Sequence, residues 1–402
     1  MDHARNPYSP GAGTQPPELA GRDAILEDVH VALGRIQRGT FSRSSIFVGL
    51  RGVGKTVLLN RVREIADNKG FFTVFAEAHE QKPMPDLLVP YLRQILIKLN
   101  SDGSINELAR RGLRVLKSFV GTLKVKARFY ETLDLELSVD PEPGSADSGD
   151  LEHDFGALLL AIAEAAKSRD RAICLLIDEI QYLGEREMSA LILALHQVSQ
   201  RNLPLVLYGA GLPVILGLMG RSKSYSERLF SYPSVAELDK EAARKALTRP
   251  AELLNVAYAP DAVQAILDKT GRYPYFLQQW GYETWNAAQS SLITTSDVEV
   301  ATKNAIRQLD ESFFRVRFDR LTKREKDFLF AMVGVGGVMQ RSGDIADRLG
   351  AKTTSIGPLR SQLIRKGMIY SPAHGDNAFT VPLFDDFLRR QIRGNSDMAS
   401  TN

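Results

Sequence analysis

The 402-residue sequence contains very little cysteine, histidine or tryptophan. Cys174 is the single cysteine, which excludes a disulfide within the chain and a metal site built from several cysteines. The six histidines show none of the spacings that are typical of metal ligands. An apolar stretch at Ala157–Ala166 contains Glu164 and falls short of the roughly 20 residues that a membrane span requires. We therefore expect no membrane partner.

The N-terminal residues 1–17 are polar and rich in glycine and proline. They lack the apolar segment of a signal peptide. We expect them to form a flexible tail, and we expect the protein to be cytoplasmic, in a reducing compartment.

The charge balance is mild, because 51 basic and 48 acidic residues leave a net charge of +3 with histidine neutral. Such an excess does not by itself indicate a nucleic-acid binder. The hydrophobic fraction of 44% and the charged fraction of 25% are ordinary for a globular protein. The length predicts two or three domains.

Short β-rich runs alternate with segments of helical apolar spacing over residues 18–238. The predicted strands are Ser45–Val48, Phe71–Phe75, Ile173–Ile177, Leu205–Leu207 and Val235–Leu238. A continuous apolar run such as Ile173–Ile177 suits a strand that is covered on both faces. This alternation predicts an α/β fold with a parallel sheet. Residues 81–150 resemble an insertion and include an acidic linker at 140–150, whereas 239–310 are predicted to be helical.

The strongest motif is a glycine-rich turn between the first predicted strand and a helical segment. It reads Gly49-Leu50-Arg51-Gly52-Val53-Gly54-Lys55-Thr56 and fits the P-loop pattern G-x-x-x-x-G-K-[ST]. Such a loop points several backbone N–H groups at a phosphate, and the following helix adds the positive end of its dipole. We expect Lys55 to bridge the β- and γ-phosphates and the Thr56 hydroxyl to bind Mg²⁺. The predicted nucleotide-binding positions here are Gly49, Arg51, Gly52, Val53, Gly54, Lys55 and Thr56. The alternative is a surface turn.

A second motif places two acids, Asp178 and Glu179, directly after the apolar run Ile173–Ile177. This is the Walker B pattern, in which Asp178 would hold the Mg²⁺ shell and Glu179 would orient the attacking water. A solvated strand end has the same letters, so the motif gains weight only from its pairing with Lys55. The third strand end, Leu205–Gly211, contains no Asn, Thr or Ser. Its glycines allow either a close approach to the nucleotide or a plain turn.

With these motifs the chain resembles the AAA+ superfamily, and in particular the AAA ATPase domain of origin-recognition-complex-like proteins, which is related to the STAND signalling NTPases. The segment Glu18–Asp23 looks like the box that opens such domains, with Gly21 and Arg22 beside the adenine. The resemblance runs to about residue 285. It implies a P-loop core over 18–238, a helical lid over 239–310, and ATP and Mg²⁺ as ligands.

The resemblance also suggests two arginines for the site. Arg228 lies where such proteins carry an arginine finger that reaches a neighbouring subunit, and the alternative is a surface arginine paired with an acid. Arg272 precedes Pro274 in a segment that looks like the lid motif, where a side chain or backbone group contacts the nucleotide. The alternative there is an ordinary helix start that packs the lid.

The C-terminal segment 311–402 has three helical stripes followed by two strand-like runs, and His374 lies in the turn between these runs. This is the order of a winged helix, and it resembles the winged-helix domain of initiator-like ATPases. The segment has 15 basic and 10 acidic residues, a net charge of +5 that leaves −2 for the rest of the chain. Lys352 and Arg360 are the candidates for contacts with double-stranded DNA. Docking to a protein is the alternative.

The expected function is therefore that of an ATPase whose catalytic residues are Lys55, Glu179 and Arg228. It would hydrolyse ATP to ADP, slowly if the missing polar side chain at the third strand end matters. The nucleotide would control DNA binding or the assembly of a homo-oligomer. The alternative is a STAND-like switch whose winged helix contacts protein, and a module that binds ATP with little turnover is a third possibility.

Overall fold

The computed structural model describes residues 1–11, 13–101, 106–122, 139–224, 226–373 and 375–399, the last six without their side chains. These residues divide into two compact units. The α/β unit consists of Arg22–Gly49 and Lys55–Val235, and the helical unit consists of Met1–Gly21, Leu50–Gly54 and Ala236–Asn402. No helix among the described residues has both the length and the apolar character that crossing a membrane requires.

Five parallel strands form the sheet of the α/β unit in the order β2-β3-β4-β1-β5. They are β1 (Ser44–Val48), β2 (Phe72–Glu77), β3 (Ile173–Asp178), β4 (Leu205–Gly211) and β5 (Phe230–Ser231). Every residue of β3 and β4 is buried, which is the burial that a continuous apolar run predicts for a strand covered on both faces. The expected α/β fold with a parallel sheet is confirmed.

The helices of this unit follow the predicted apolar spacing. They are α1 (Asp23–Gln37), α2 (Lys55–Asn68), α3 (Met84–Ser101), α4 (Glu107–Thr122), α5 (Leu151–Lys167), α6 (Glu185–Gln200), α7 (Val214–Ser222) and α8 (Ser226–Leu229). Leu58 and Leu59 on α2 and Leu191 and Leu195 on α6 are buried. Leu191 and Leu195 are four residues apart, so they share one face of α6, and both belong to the hydrophobic core of this unit.

The fifth strand lies earlier than the predicted Val235–Leu238, because β5 pairs with β1 at Phe230 and Ser231. Pro233 follows β5 and has no N–H to donate, which prevents a continuous ladder. The pairing resumes as isolated bonds, in which Val48 N donates to the Pro233 carbonyl at 3.0 Å and Val235 N donates to the Val48 carbonyl at 2.7 Å.

The predicted insertion at 81–150 contributes to the core of the α/β unit. Helices α3 and α4 lie in it, and Phe119 on α4 packs against Phe155 on α5 with ring centroids 6.1 Å apart. The linker 140–150 contains no helix or strand, as expected, but Ala146 within it is buried. Residues 132–139 alternate as in a β-strand, which predicts a strand there, but all of them except Val139 lie outside the described residues.

The first part of the helical unit contains four helices and a two-stranded sheet. These elements are α9 (Lys240–Glu252), β6 (Ala257–Tyr258), α10 (Pro260–Thr270), α11 (Pro274–Ala287), β7 (Leu292–Ile293) and α12 (Thr295–Gln308). The Asp239 side chain accepts a hydrogen bond from Ala242 N at 2.8 Å and caps α9. Pro260 and Pro274 occupy first helical positions, where the missing N–H costs nothing.

The C-terminal part combines helices with a three-stranded antiparallel sheet in the order β8-β10-β9. Its elements are a π-helical turn (Leu309–Phe314), α13 (Arg315–Asp319), α14 (Lys323–Val335), β8 (Gln340–Arg341), α15 (Ser342–Arg348), α16 (Thr353–Arg365), β9 (Ile369–Tyr370), β10 (Asp376–Phe379) and α17 (Phe384–Ala399). The winged-helix assignment for this part stays a prediction.

The predicted boundary at residue 310 runs through a continuous hydrophobic cluster. Phe314 lies 5.6 Å from Phe384 and 5.5 Å from Phe387, measured between ring centroids. One cluster of buried residues extends from Leu247 on α9 to Leu388 on α17. The predicted lid and the C-terminal segment therefore share a hydrophobic core.

The predicted flexible tail is corrected, because its first residues pack on the helical unit. Tyr8 is buried, its hydroxyl donates to the Leu247 carbonyl at 2.5 Å, and the Tyr258 hydroxyl donates to it at 2.9 Å. Asn6 donates to the Tyr282 carbonyl at 3.0 Å. Composition alone suggested a tail, since a single buried tyrosine is outweighed by its glycine and proline neighbours. Ala12 lies outside the described residues.

We predict that Tyr8→Ala destabilises the protein by about 3–5 kcal/mol, because it empties a fully buried aromatic site. Tyr8→Phe keeps the ring and is expected to cost about 1–2 kcal/mol, since buried hydrogen-bond partners are left unsatisfied. Denaturant unfolding measures both changes. Tyr91→Ala, at an exposed position, is the control. Equal stability of the Tyr8→Ala variant and the wild type would show that the N-terminal contacts are not formed.

Candidate functional site

The carboxyl ends of three neighbouring strands meet at one edge of the parallel sheet. The register aligns Val48 of β1 with Gly211 of β4 and Ile177 of β3 with Gly209 of β4. Beyond β1, Gly49 N donates to the Gly211 carbonyl at 3.1 Å. Ligands of parallel α/β sheets bind outside the carboxyl ends of the strands, so this edge is the candidate site.

The glycine-rich turn runs from the end of β1 into α2. Gly52 and Gly54 have φ angles of +83° and +91°, in the left-handed region that favours glycine. The helix begins at Lys55, whose side chain is buried. A helix N-terminus offers unpaired N–H groups and a positive dipole end, which together suit an anion such as phosphate.

Thr56 joins the start of α2 to the end of β3. Its hydroxyl donates to Asp178 Oδ2 at 2.6 Å, and Glu179 N donates to Asp178 Oδ1 at 2.8 Å. A hydroxyl next to a carboxylate is the oxygen pair that Mg²⁺ prefers, and these two residues fit a metal whose other ligands come from phosphates and water. Within the described ranges no group of three or more His, Cys, Asp or Glu is arranged to hold a metal.

Asp178 is buried, and removing its carboxylate from water costs free energy of folding. Burial raises the pKa of its carboxyl, while the hydrogen bonds from Thr56 and Glu179 and the charge of Lys55 act in the opposite direction. Buried carboxyl groups with a shifted pKa are found most often at functional sites.

Glu179 adopts a strained backbone conformation, with a φ of +49°. Its carboxylate accepts a hydrogen bond from the side-chain amide of Gln181, which lies in a 3₁₀ turn at Ile180–Tyr182. The side-chain oxygen of Gln181, Oε1, in turn accepts a hydrogen bond from Leu212 N at 3.0 Å. Sequence reasoning missed Gln181, because a neutral side chain two residues after the acids carries no titratable signal.

Two glycines at the third strand end make room for this turn. A Cβ at Gly209 would lie 3.1 Å from Ile180 Cδ1, and a Cβ at Gly211 would lie 2.8 Å from Gln181 Oε1. The segment Leu205–Gly211 contains no Asn, Thr or Ser, and its two glycines instead allow Ile180 and Gln181 to pack against the strand end. The polar group at this strand end comes from Gln181 instead.

The middle of the loop, Leu50–Gly54, groups with the helical unit. Tyr275 N at the start of α11 donates to the Gly52 carbonyl at 3.1 Å, and Arg51 N donates to the Thr380 carbonyl, just after β10, at 3.3 Å. The Val53 side chain is buried. The loop backbone is thus hydrogen-bonded both to the predicted lid and to the C-terminal segment.

Four further predicted site residues lie in defined places. Gly21 approaches α9 so closely that a Cβ there would lie 2.8 Å from Ala242 Cβ. Arg22 is buried and its carbonyl accepts from Leu26 N at 3.0 Å in the first turn of α1. Arg272 is half-buried with a φ of +61°, and Arg228 is exposed on α8. Their roles toward a nucleotide stay predictions.

Arg360, a predicted DNA contact, also makes hydrogen bonds within its own domain, and its role toward DNA stays a prediction. Its guanidinium donates to Asn377 Oδ1 at 2.6 Å, to Ser371 Oγ at 2.6 Å and to the Asp376 carbonyl at 3.0 Å. These bonds tie α16 to the sheet and engage the side chain within its own domain. Lys352, at the N-terminus of α16, is exposed, and His374 lies outside the described residues.

Two family models match parts of the chain. Residues 18–208 match the AAA ATPase domain, a range that includes the glycine-rich loop and both acids after β3. Residues 311–388 match a family described as a domain of unknown function. No curated protein matches the chain in sequence.

Several solved structures have a similar fold. A Walker-type ATPase of Pyrococcus abyssi has a TM-score of 0.55 and 16% identity, over 94% of this chain and 97% of that chain. The ORC1 protein of Aeropyrum pernix, solved in complex with DNA, has a TM-score of 0.46 and 15% identity, over 93% and 94%. Cdc6p from Pyrobaculum aerophilum has a TM-score of 0.46 and 16% identity, over 98% and 99%. At such identities the likeness concerns the fold alone.

We predict that Asp178→Asn stabilises the nucleotide-free protein at neutral pH. Because burial raises the pKa of this carboxyl, the folded state carries a charge penalty that the unfolded chain lacks. Asparagine removes the charge but has one acceptor oxygen in place of two, so the loss of the hydrogen bond from either Thr56 or Glu179 N offsets part of the gain. The gain is expected above the raised pKa and shrinks as the pH falls to about 4, where the unfolded aspartate also becomes protonated.

Thermal unfolding at neutral pH and at about pH 4, without Mg²⁺, measures this difference. Asp327→Asn, at an exposed position on α14, is the control and is expected to change little at either pH. A lower melting temperature of Asp178→Asn at neutral pH would contradict the prediction.

Proposed function

We propose that this chain, whose residues 18–208 match the AAA ATPase domain, is an AAA+ ATPase that binds ATP with Mg²⁺ and hydrolyses it to ADP and phosphate. The observation that carries the proposal is the 2.6 Å hydrogen bond between the Thr56 hydroxyl and Asp178. It brings the two motifs that the sequence separates by more than a hundred residues to one edge of the sheet. That edge is where the phosphates and their metal would lie.

The residues divide the work of binding by their chemistry. Backbone amides of the loop and the N-terminus of α2 would hold the phosphates, and the Lys55 ammonium would balance their charge. Thr56 and Asp178 would hold Mg²⁺, which supplies charge neutralisation at the phosphate oxygens. The proposed phosphate-binding positions are Gly49, Arg51, Gly52, Val53, Gly54, Lys55 and Thr56.

Glu179 would orient the water that attacks the γ-phosphorus as the bond to the bridging oxygen breaks. Gly21 and Arg22 would lie beside the adenine, and Arg272 would contact the nucleotide from the lid. The exposed Arg228 would reach the site of a second copy, where an arginine contributes about 10³–10⁵-fold in rate in related systems. Assembly into a homo-oligomer would then depend on the nucleotide.

Coupling to the C-terminal segment is supported by the contacts of the loop. Arg51 N donates to the Thr380 carbonyl, and Tyr275 N donates to the Gly52 carbonyl. A change in the loop conformation on phosphate binding would therefore alter the positions of Thr380 and Tyr275. A ligand shifts a conformational equilibrium only through such differential contacts. We infer that the output of this coupling is binding to duplex DNA. The exposed Lys352 and the net charge of +5 of 311–402 support an acidic partner.

The second candidate is a STAND-like switch whose C-terminal segment contacts protein. The bond between Arg51 and Thr380 favours it, because a domain that contacts the P-loop directly is suited to clamp a bound nucleotide. In that case the positive charge of the segment would serve a protein surface. The two candidates share the ATP site and differ in their partner.

We expect Lys55→Ala to weaken ATP binding about 10- to 150-fold, since a charge-assisted contact is worth roughly 1.5–3 kcal/mol. Glu179→Gln is expected to keep ATP binding and to lower turnover about 10²–10⁴-fold. Calorimetry and phosphate release measure the two effects. Lys269→Ala, exposed on α10, is the control. Wild-type affinity and rate in Lys55→Ala would refute the proposed site.

For DNA, we expect Lys352→Ala to weaken binding to duplexes of any sequence and to reduce the salt slope by about one. Lys323→Ala, exposed at the start of α14, is the matched control for lost charge. Fluorescence anisotropy at several salt concentrations measures the slope. Absence of salt-sensitive duplex binding by the wild type would favour the protein-binding switch.

A further inference from the structure

We propose that Gln181 is a positioning residue for hydrolysis, which holds the Glu179 carboxylate and fixes it to the end of β4. This inference rests on the proposed ATPase function and concerns the same site. It accounts for how a site without Asn, Thr or Ser at its third strand end keeps a polar link there. Two hydrogen bonds of the Gln181 side chain and the space left by Gly211 support this role.

The two hydrogen bonds determine which way the Gln181 amide points. Leu212 N can only donate, so the oxygen of the Gln181 amide faces it, at 3.0 Å. The carboxylate of Glu179 can only accept, so the nitrogen faces that side. Reversing the amide would lose both bonds, and the side chain is therefore a bridge with one orientation.

The bridge ends on a part of β4 that is itself joined to the phosphate loop. Leu212 follows Gly211, whose carbonyl accepts from Gly49 N at 3.1 Å. Glu179, Gln181, the end of β4 and the first residue of the loop thus form one continuous hydrogen-bonded series within the α/β unit. The position of the Glu179 carboxylate is therefore fixed relative to the start of the glycine-rich loop.

Gly211 is required for this arrangement. A Cβ at this position would lie 2.8 Å from Gln181 Oε1, a distance that real Cβ atoms do not adopt. A side chain on the end of β4 and the Gln181 bridge therefore exclude each other. The Gln181 side chain occupies the space that a polar side chain at position 211 would need.

Positioning matters here because Glu179 has a strained backbone, with a φ of +49°, and a flexible side chain. A catalytic carboxylate must lie within hydrogen-bond reach of the attacking water. Without Gln181 the Glu179 carboxylate loses a hydrogen bond that orients it, and fewer of the bound ATP molecules would meet a correctly placed base. Binding of ATP, which depends on the loop and Lys55, would be unaffected.

The test compares steady-state ATP hydrolysis by the wild type, Gln181→Ala and Gln181→Glu. We expect Gln181→Ala to lower kcat at least about tenfold, with KM for ATP changed by less than about twofold. Gln181→Glu keeps an acceptor for Leu212 N but places a like charge against Glu179, so its kcat is expected to be lower still. Gln200→Ala, exposed at the end of α6, is the control and is expected to match the wild type.

Gly211→Ala provides a second, independent variant, since its methyl group would displace the Gln181 amide. Its effect on kcat and that of Gln181→Ala are expected not to add in the double variant, because both remove one interaction. Full additivity would overturn the inference.

The outcomes separate this inference from the proposed function. Unchanged or increased kcat in Gln181→Ala, with active wild type and impaired Lys55→Ala, overturns the role of Gln181 alone. A rise in KM that matches the loss of kcat also overturns it, since the residue would then act through binding. Absence of hydrolysis by the wild type overturns the proposed function and this inference together.

Discussion

The hydrogen bond between Thr56 and Asp178 is the interaction on which the candidate site depends. It joins the first turn of α2 to the end of β3, at a point where burial raises the pKa of the carboxyl. Burying an acid without a partner is costly, and here a hydroxyl, a backbone amide and a lysine offset the cost only in part. A cation bound at this carboxylate would offset the remainder, which supports the role proposed for Asp178 as a Mg²⁺ ligand.

Local chemistry made much of the site predictable from sequence. Glycines at 52 and 54, a lysine and a threonine at fixed spacing specify a turn and a helix start within eight residues. Fully apolar runs predicted β3 and β4 because strands covered on both faces need them. The fifth strand was misplaced by a few residues, since its pairing depends on Pro233 and on β1, and neither is visible in a count of apolar letters.

What the sequence did not predict depends on contacts between distant residues. Tyr8 is buried by α9 and its neighbours more than two hundred positions away, and nothing near it in sequence indicates burial. The basic character of Arg360 predicts a DNA contact, whereas its hydrogen bonds to three acceptors in its own domain are not predictable from the sequence. A charge count records that an arginine is present and cannot record whether its donors are already satisfied.

The role proposed for Gln181 at the end of β4 would make a missing motif residue weak evidence of a missing function. A strand end without a polar side chain suggests slow hydrolysis if each role must be filled at the same position in every relative. Space at the strand end is limited, however, and Gly211 leaves it to Gln181, which comes from the neighbouring strand's turn. A role in a site is defined by where an atom lies rather than by which residue supplies it. A glycine at position 211 together with an amide at position 181 therefore indicates a polar group at the end of β4, whereas either residue alone is a weak indication.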